Sequence, residues 1–220
     1  MQVKDFTEIN PSPSSPIEKR LFIDYIDTAA VTEGRLGDIQ HLIGSFPSRA
    51  QREVHANDIL ISSVRPNLRH NYFVTQGEDG MIASSGFVHI RVKKSEKVVP
   101  RFLYYFLTSP SKIRYYTRIA DCSQSAYPSF NKDVIEDIEF PFISKPTQLR
   151  IAGIIGYIIH CLLRSHQEVF AHHQEADGAI YILRVHPLLS GKLQRQVVYC
   201  AVRWSTPPQN VSSHDRATSQ

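Results

Sequence analysis

The chain has 220 residues, enough for one domain of ordinary size and an accessory element. Hydrophobic residues make up 42% and charged residues 21%, which excludes a disordered tail as the whole molecule. A net charge of +4 permits an anionic partner such as nucleic acid without requiring one. Cys122, Cys161 and Cys200 are sparse and form no CxxC pair, so neither a disulfide framework nor a zinc ribbon is expected. A reducing, cytoplasmic compartment is the natural reading. The opening MQVKDFTEINPSPSSP has no apolar segment of signal-peptide type. The longest apolar run, Ile151 to Leu163, falls well short of the roughly 20 residues that span a bilayer. No membrane partner is expected.

In chain order, residues 10–16 (NPSPSSP) read as an irregular lead-in, and Leu21 to Ile26 as a strand. Gly34 and Gly37 punctuate a loop. Asp58 to Val64 (DILISSV) is the clearest buried strand, stopped by Pro66 and Asn67. Beyond Gly80 a strand pair follows. In Gly86 to Val92, Phe87, His89 and Arg91 alternate with Val88, Ile90 and Val92 on opposite faces. From Pro100 the period becomes helical, through Phe102, Leu103, Phe106 and Leu107. After a break at Pro110, Ile113, Tyr116 and Ile119 suggest a second short helix. Val134 to Ile143 reads as a strand or extended exit. A final helix begins near Ser144 to Thr147 with an apolar stripe of Ile151, Ile154, Ile155, Ile158 and Leu162. The expected fold is a mixed α/β (α+β) domain over residues 1–145, a long helix over 146–170, and an irregular tail over 171–220. Within that tail Gln196 to Val202 is a candidate short strand.

Three polar clusters stand out: Pro47-Ser48-Arg49-Ala50 with Arg52; Val64-Arg65-Pro66-Asn67 with Arg69 and His70; and Ser123-Gln124-Ser125-Ala126-Tyr127-Pro128. Arginine donates paired hydrogen bonds to phosphate or guanine, so such loops suit nucleic acid. The competing reading is a set of turns whose arginines simply remain solvated. Catalytic readings are weaker. Asn10-Pro11-Ser12-Pro13 lacks the third proline and the aromatic residue of the amino-methyltransferase motif. Asp58 and Glu78-Asp79, with no Glu-x-Lys at useful spacing, read as surface or turn carboxylates. The histidines of residues 160–220 have no HExxH spacing, and Cys122 has no nearby histidine. Phe102, Tyr104, Tyr105, Phe106, Tyr115 and Tyr116 are candidate stacking platforms, but their helical spacing favours a core. No catalytic residue, metal or cofactor is expected on this chain.

The ordered series of segments resembles the specificity subunit of type I restriction-modification systems. It starts at Glu8-Ile9-Asn10-Pro11 and Tyr25-Ile26-Asp27-Thr28, with Val31 and Gly34. It continues through Pro47-Ser48-Arg49-Ala50, Asp58-Ile59-Leu60 and Ser63-Val64-Arg65-Pro66-Asn67. Ser85-Gly86-Phe87, Phe102-Leu103-Tyr104-Tyr105, Ser125-Ala126-Tyr127-Pro128 and Gln148-Leu149-Arg150-Ile151-Ala152 complete it.

The resemblance implies a target recognition domain followed by a conserved coiled-coil helix. In that family two such domains stand on two antiparallel helices, and each reads half of a split DNA site. The subunit itself does no chemistry. It positions methyltransferase subunits that modify adenine, and a restriction subunit can join. The implied partners are therefore double-stranded DNA, those two kinds of subunit, and a second specificity half-subunit, since this chain holds one recognition domain. Members read different sequences, so shared motifs are not the main base readers. Arg49, Arg65 and Asn67 then suit phosphate or scaffold roles, and the base readers are expected within Arg69 to Gln76 and around Gln124. The candidate contacts are Arg49, Arg52, Arg65, Asn67, Arg69, His70, Gln124, Ser125 and Tyr127.

Beyond Ile158 the heptad seam expected of the family gives way to a histidine-rich stretch. Residues 160–220 hold only six Lys/Arg and four Asp/Glu. An alternative expectation is therefore a truncated or frameshifted remnant that folds without assembling an active complex. Residues 1–150 carry 19 basic and 17 acidic side chains, so binding must depend on where a few arginines sit.

Overall fold

The computed structural model describes residues 1–93, 95–123 and 127–172, with side chains as far as residue 162. Two four-stranded sheets organise residues 1–160. The first has the order β1-β10-β7-β8, from Thr7–Ile9, Phe87–Val92, Ile59–Ser62 and Asn71–Phe73, and is antiparallel throughout. The second has the order β5-β2-β9-β6, from Gln40–Ile43, Phe22–Ile26, Ile82–Ser84 and Ala50–Glu53. Within it β2 and β9 are parallel and the other pairs antiparallel. A small hairpin joins β3 (Val31–Thr32) to β4 (Arg35–Leu36).

The alternation in β10 works as the sequence suggests. Val88 and Ile90 enter an apolar cluster with Ile59, Ile61 and Phe73, and with helices α1 (Pro100–Leu107) and α2 (Pro110–Asp121). Those helices supply Phe102, Leu103, Leu107, Ile113 and Tyr116. Burial at this scale stabilises by about 1.5–3 kcal/mol per large side chain. On the opposite face, Phe87 and Leu60 meet Ile26 and Ala83 of the second sheet, so the two sheets pack on one another. The aromatic series from Phe102 to Tyr116 is mostly core: Phe102, Tyr104 and Tyr116 are buried, while Tyr115 is exposed.

Pro100 and Pro110 each occupy the first turn of a helix, where a missing N–H is harmless. Pro110 thus opens α2 rather than merely ending α1. One expectation fails. Val134 to Glu136 are not extended but belong to the helical turn α3 (Asp133–Glu136), which buries Ile135 and carries a Lys132–Glu136 ion pair of 2.7 Å. The extended segment begins only beyond it, where Glu139 bridges to Gln2.

The final helix, α4, runs Lys145–His172. The fully buried Gln148 fixes its start: the side-chain amide donates to the carbonyls of Lys97 and Ile143, and its oxygen accepts from Val99 N. Ala152 packs in the core, and Gly156 lies beside the Tyr105 hydroxyl. The tail beyond residue 172, including the candidate strand Gln196 to Val202, lies outside the described residues. The mixed α/β domain with a long C-terminal helix stands as expected. Among the described residues no helix is long and apolar enough to cross a membrane.

Candidate nucleic-acid interface

The strand directions bring most of the sequence motifs to one end of the sheets. The ends of β2, β7 and β9 and the starts of β6, β8 and β10 all lie there, because β9 is parallel to β2 and antiparallel to β6. Backbone hydrogen bonds tie the loops together. Ser85 N donates to the Arg49 carbonyl at 2.7 Å, Ser63 N to Gly86 at 2.9 Å, and Arg65 N to Pro128 at 2.8 Å. Gly86 has a steric reason to be glycine, since a Cβ there would lie 2.9 Å from the Thr28 methyl. Segments spread from Asp27 to Pro128 therefore form one continuous surface.

That surface holds most of the candidate residues. Arg65 and Arg69 flank the 3-10 turn Pro66–Leu68, both in left-handed backbone, and Asn67 is exposed between them. A left-handed arginine costs backbone energy that surrounding contacts must offset. Here the offset comes from the Arg65–Pro128 hydrogen bond, a second from Leu68 N to the Arg65 carbonyl at 2.9 Å, and one from Glu33 N to the Arg69 carbonyl at 3.0 Å. The Arg65 guanidinium sits over the exposed Tyr127 ring, 5.2 Å from its centroid. Arg49 and Arg69 instead reach carboxylates, Asp27 at 3.4 Å and Glu33 at 3.5 Å. A shallow cleft of about 340 Å³ opens nearby, lined in part by Asn10, Ser63, Ser85 and Lys132.

Two candidates are placed differently. His70 is half-buried, and its carbonyl accepts from Ser62 N within the sheet. Arg52 points inward from β6 and is partly buried, which lowers its pKa. Gln124 and Ser125 lie outside the described residues. The stretch from Arg69 to Gln76 is half buried. Asn71, Tyr72, Phe73 and Val74 are buried in and after β8, so Arg69 and His70 are its members at the loop end.

Asp58 departs from expectation most. It is not a surface carboxylate but is buried between the sheets. His89 Nε2 bonds it at 2.7 Å, Arg91 binds it through Nε and Nη2, and His55 N donates at 2.8 Å. Burial pushes the Asp58 carboxyl up, but the hydrogen bonds from His89 and Arg91 outweigh it and hold the pKa below its ordinary value. Burial also lowers the His89 pKa; the Asp58 bond and charge oppose this, while Arg91 and Arg52 add to it. His89 is therefore neutral at pH 7, with the proton on Nε2 facing the carboxylate. Alongside, Arg20 binds Glu53, which burial would raise but Arg20 and Ser14 bring down to about 2. Asn10, left-handed at φ 53°, exchanges hydrogen bonds with the His89 backbone in both directions. Asp58 and Arg91 lie at the opposite end of the first sheet from these loops, and the network reaches the loop end only through the Asn10–His89 exchange. The one sequence signal for it was the shared face of His89 and Arg91.

The structure is thus a mixed α/β domain with arginine-bearing loops gathered at one sheet end, followed by a helix. A profile described as the type I restriction modification DNA specificity domain matches residues 1–168, and the chain belongs to that family. It is thus a non-catalytic member of a DNA-specificity family. The chain is 27% identical over 113 residues to the type I restriction enzyme HindI specificity subunit of Haemophilus influenzae, covering 51% of this chain and 24% of that protein. Its fold is similar to the HsdS subunit from Thermoanaerobacter tengcongensis, with a TM-score of 0.66 at 22% identity over 79% of this chain and 44% of that one. A chain from a type I restriction-modification system solved for complex assembly and conformational transition gives 0.62 at 20% identity, over 79% and 45%. The chain therefore spans less than half the length of these relatives.

Proposed function

We propose that this chain recognises double-stranded DNA as one target recognition domain of a type I restriction-modification complex. In that role it directs adenine methylation and restriction by partner subunits and contributes no chemistry itself. The observation that carries this reading is the convergence of Arg49, Arg65, Asn67, Arg69 and Tyr127 on one loop-bearing end of the sheets. Phosphate contacts from arginine set affinity and register, and the duplex supplies about one charge per 1.7 Å of axis to meet them. A chain with so small a net charge has no bulk electrostatic attraction, so the local cluster must supply it.

The recognition domain is assigned to residues 1–145 and the helix to 146–170, with 171–220 as a separate tail. The helix bears exposed apolar residues, Leu149, Ile154, Tyr157, Ile158 and Ile159. Exposed apolar residues on a helix support pairing with a second specificity half-subunit or with a methyltransferase subunit in the cytoplasm. The test is co-purification with cognate methyltransferase subunits, followed by genome-wide mapping of methylated adenines. A split or symmetric methylation motif that disappears with this chain is the expected result. Methylation unchanged by its deletion overturns the proposal.

A further inference from the structure

Three arginines stand at the loop end, and their surroundings are unequal. Arg49 and Arg69 each point at a carboxylate, Asp27 and Glu33, so phosphate competes with a charge already beside the guanidinium. Arg65 has no carboxylate partner among the described residues; its guanidinium lies on the Tyr127 ring instead. An aromatic face holds a guanidinium by its quadrupole while leaving the N–H edge open to a second acceptor. The backbone supports the same placement. Arg65 is left-handed (φ 47°), locked by its N–H to Pro128, and the Val64–Ser129 bridge clamps the segment carrying Tyr127 beside it.

We propose that Arg65 is the principal phosphate anchor of this surface and that Tyr127 is its positioning residue. The proposal rests on the DNA-binding reading above. Ordering a long side chain costs rotamer entropy, and stacking on Tyr127 removes part of that cost before DNA arrives. At Arg49 and Arg69 the neighbouring carboxylates compete, so these two add less.

The experiment measures binding of a fluorescently labelled duplex of mixed sequence to the full chain, over about 50–200 mM salt. Arg65→Gly keeps the left-handed backbone without strain and deletes only the side chain. It should weaken binding roughly tenfold near 0.1 M salt and reduce the salt slope by about one. Tyr127→Leu should weaken binding several-fold while leaving thermal unfolding unchanged, because the ring is 63% exposed. Tyr127→Phe, which keeps the ring face, should restore binding. If the unaltered chain binds no duplex even at the lowest salt, the DNA-binding reading falls and this inference with it. If it binds, but Arg65→Gly or Tyr127→Leu keeps the original slope and affinity, the anchor assignment alone is overturned. A deficit in Tyr127→Phe equal to that of Tyr127→Leu likewise overturns the positioning role.

Discussion

The two faces of β10 meet opposite environments. Val88 and Ile90 pack against α1 and α2 in a purely apolar cluster, whereas His89 and Arg91 converge on a buried carboxylate between the sheets. The apolar face is stabilised by area removed from water and tolerates shape changes that keep volume. The charged face contributes little net energy, because desolvation offsets attraction, but it accepts one geometry only. That geometry includes the Asn10–His89 exchange at the margin of the loop-bearing sheet end. The domain thus separates its main source of stability from the part that fixes loop position.

The largest expected effect comes from removing the hub of the charged face. Asp58→Ala leaves His89 and Arg91 without their carboxylate and should cost about 3–5 kcal/mol. Leu103→Ala on the apolar face should cost about 2–5 kcal/mol through lost burial and a cavity. Denaturant unfolding measures both. The contrast sharpens in DNA binding at a temperature where each variant remains folded: Leu103→Ala should bind normally, while Asp58→Ala should bind more weakly. Equal binding by the two variants would break the separation.

The acid limb of stability distinguishes the faces next. Burial sets the His89 pKa below its ordinary 6.5, so the unfolded chain takes up that proton first. Stability is complete above about pH 6.5 and falls as the pH drops below it. Groups facing His89 are Asp58, Arg91 and Arg52, and a second cation there is unfavourable. Glu53 and Asp58, held low in the folded state, add a further loss as the pH falls below about 4.5, the ordinary value for Glu53. Urea midpoints measured between neutral pH and pH 3 should show both windows. His89→Gln should flatten the upper window, while the lower one should persist through Glu53 with the Asp58 part reduced. An unchanged upper window in that variant would remove His89 from the account.

How much of this was legible beforehand follows the range of the interactions. The alternation in Phe87 to Val92, the prolines opening α1 and α2, and the apolar stripe of α4 are local patterns, and each marks a real element. Val134 to Glu136 misled because three residues of a helical turn carry no period, and its Lys132–Glu136 pair and the burial of Ile135 come from tertiary context. Asp58 read as a surface or turn carboxylate; it does close a turn with His55, but its burial was hidden because His89 and Arg91 lie 31 and 33 residues away. The strands β5 and β6 are short and lack a clean apolar alternation, so neither was signalled. The motifs put Arg49, Arg65, Arg69 and Tyr127 in loops, and the structure brings those loops to one sheet end. Nothing in their spacing separates the arginine stacked on a ring from those paired with carboxylates.

That last distinction yields the smallest expected effect. Glu33 holds Arg69 at 3.5 Å with both side chains more than half exposed, and such pairs are worth about 0.2–1 kcal/mol. Glu33→Gln keeps the side-chain shape, frees the guanidinium and removes a negative charge from the loop-bearing end. Binding to the mixed-sequence duplex should tighten by at most about fivefold, and the gain should shrink as salt rises. Asp27→Asn should act on Arg49 in the same direction. The two gains should add, because the pairs share no side chain. In an Arg69→Ala background, Glu33→Gln should retain only the part due to lost repulsion. A full gain there would show that Glu33 acts on the duplex by charge alone, and Arg69 would leave the list of contacts.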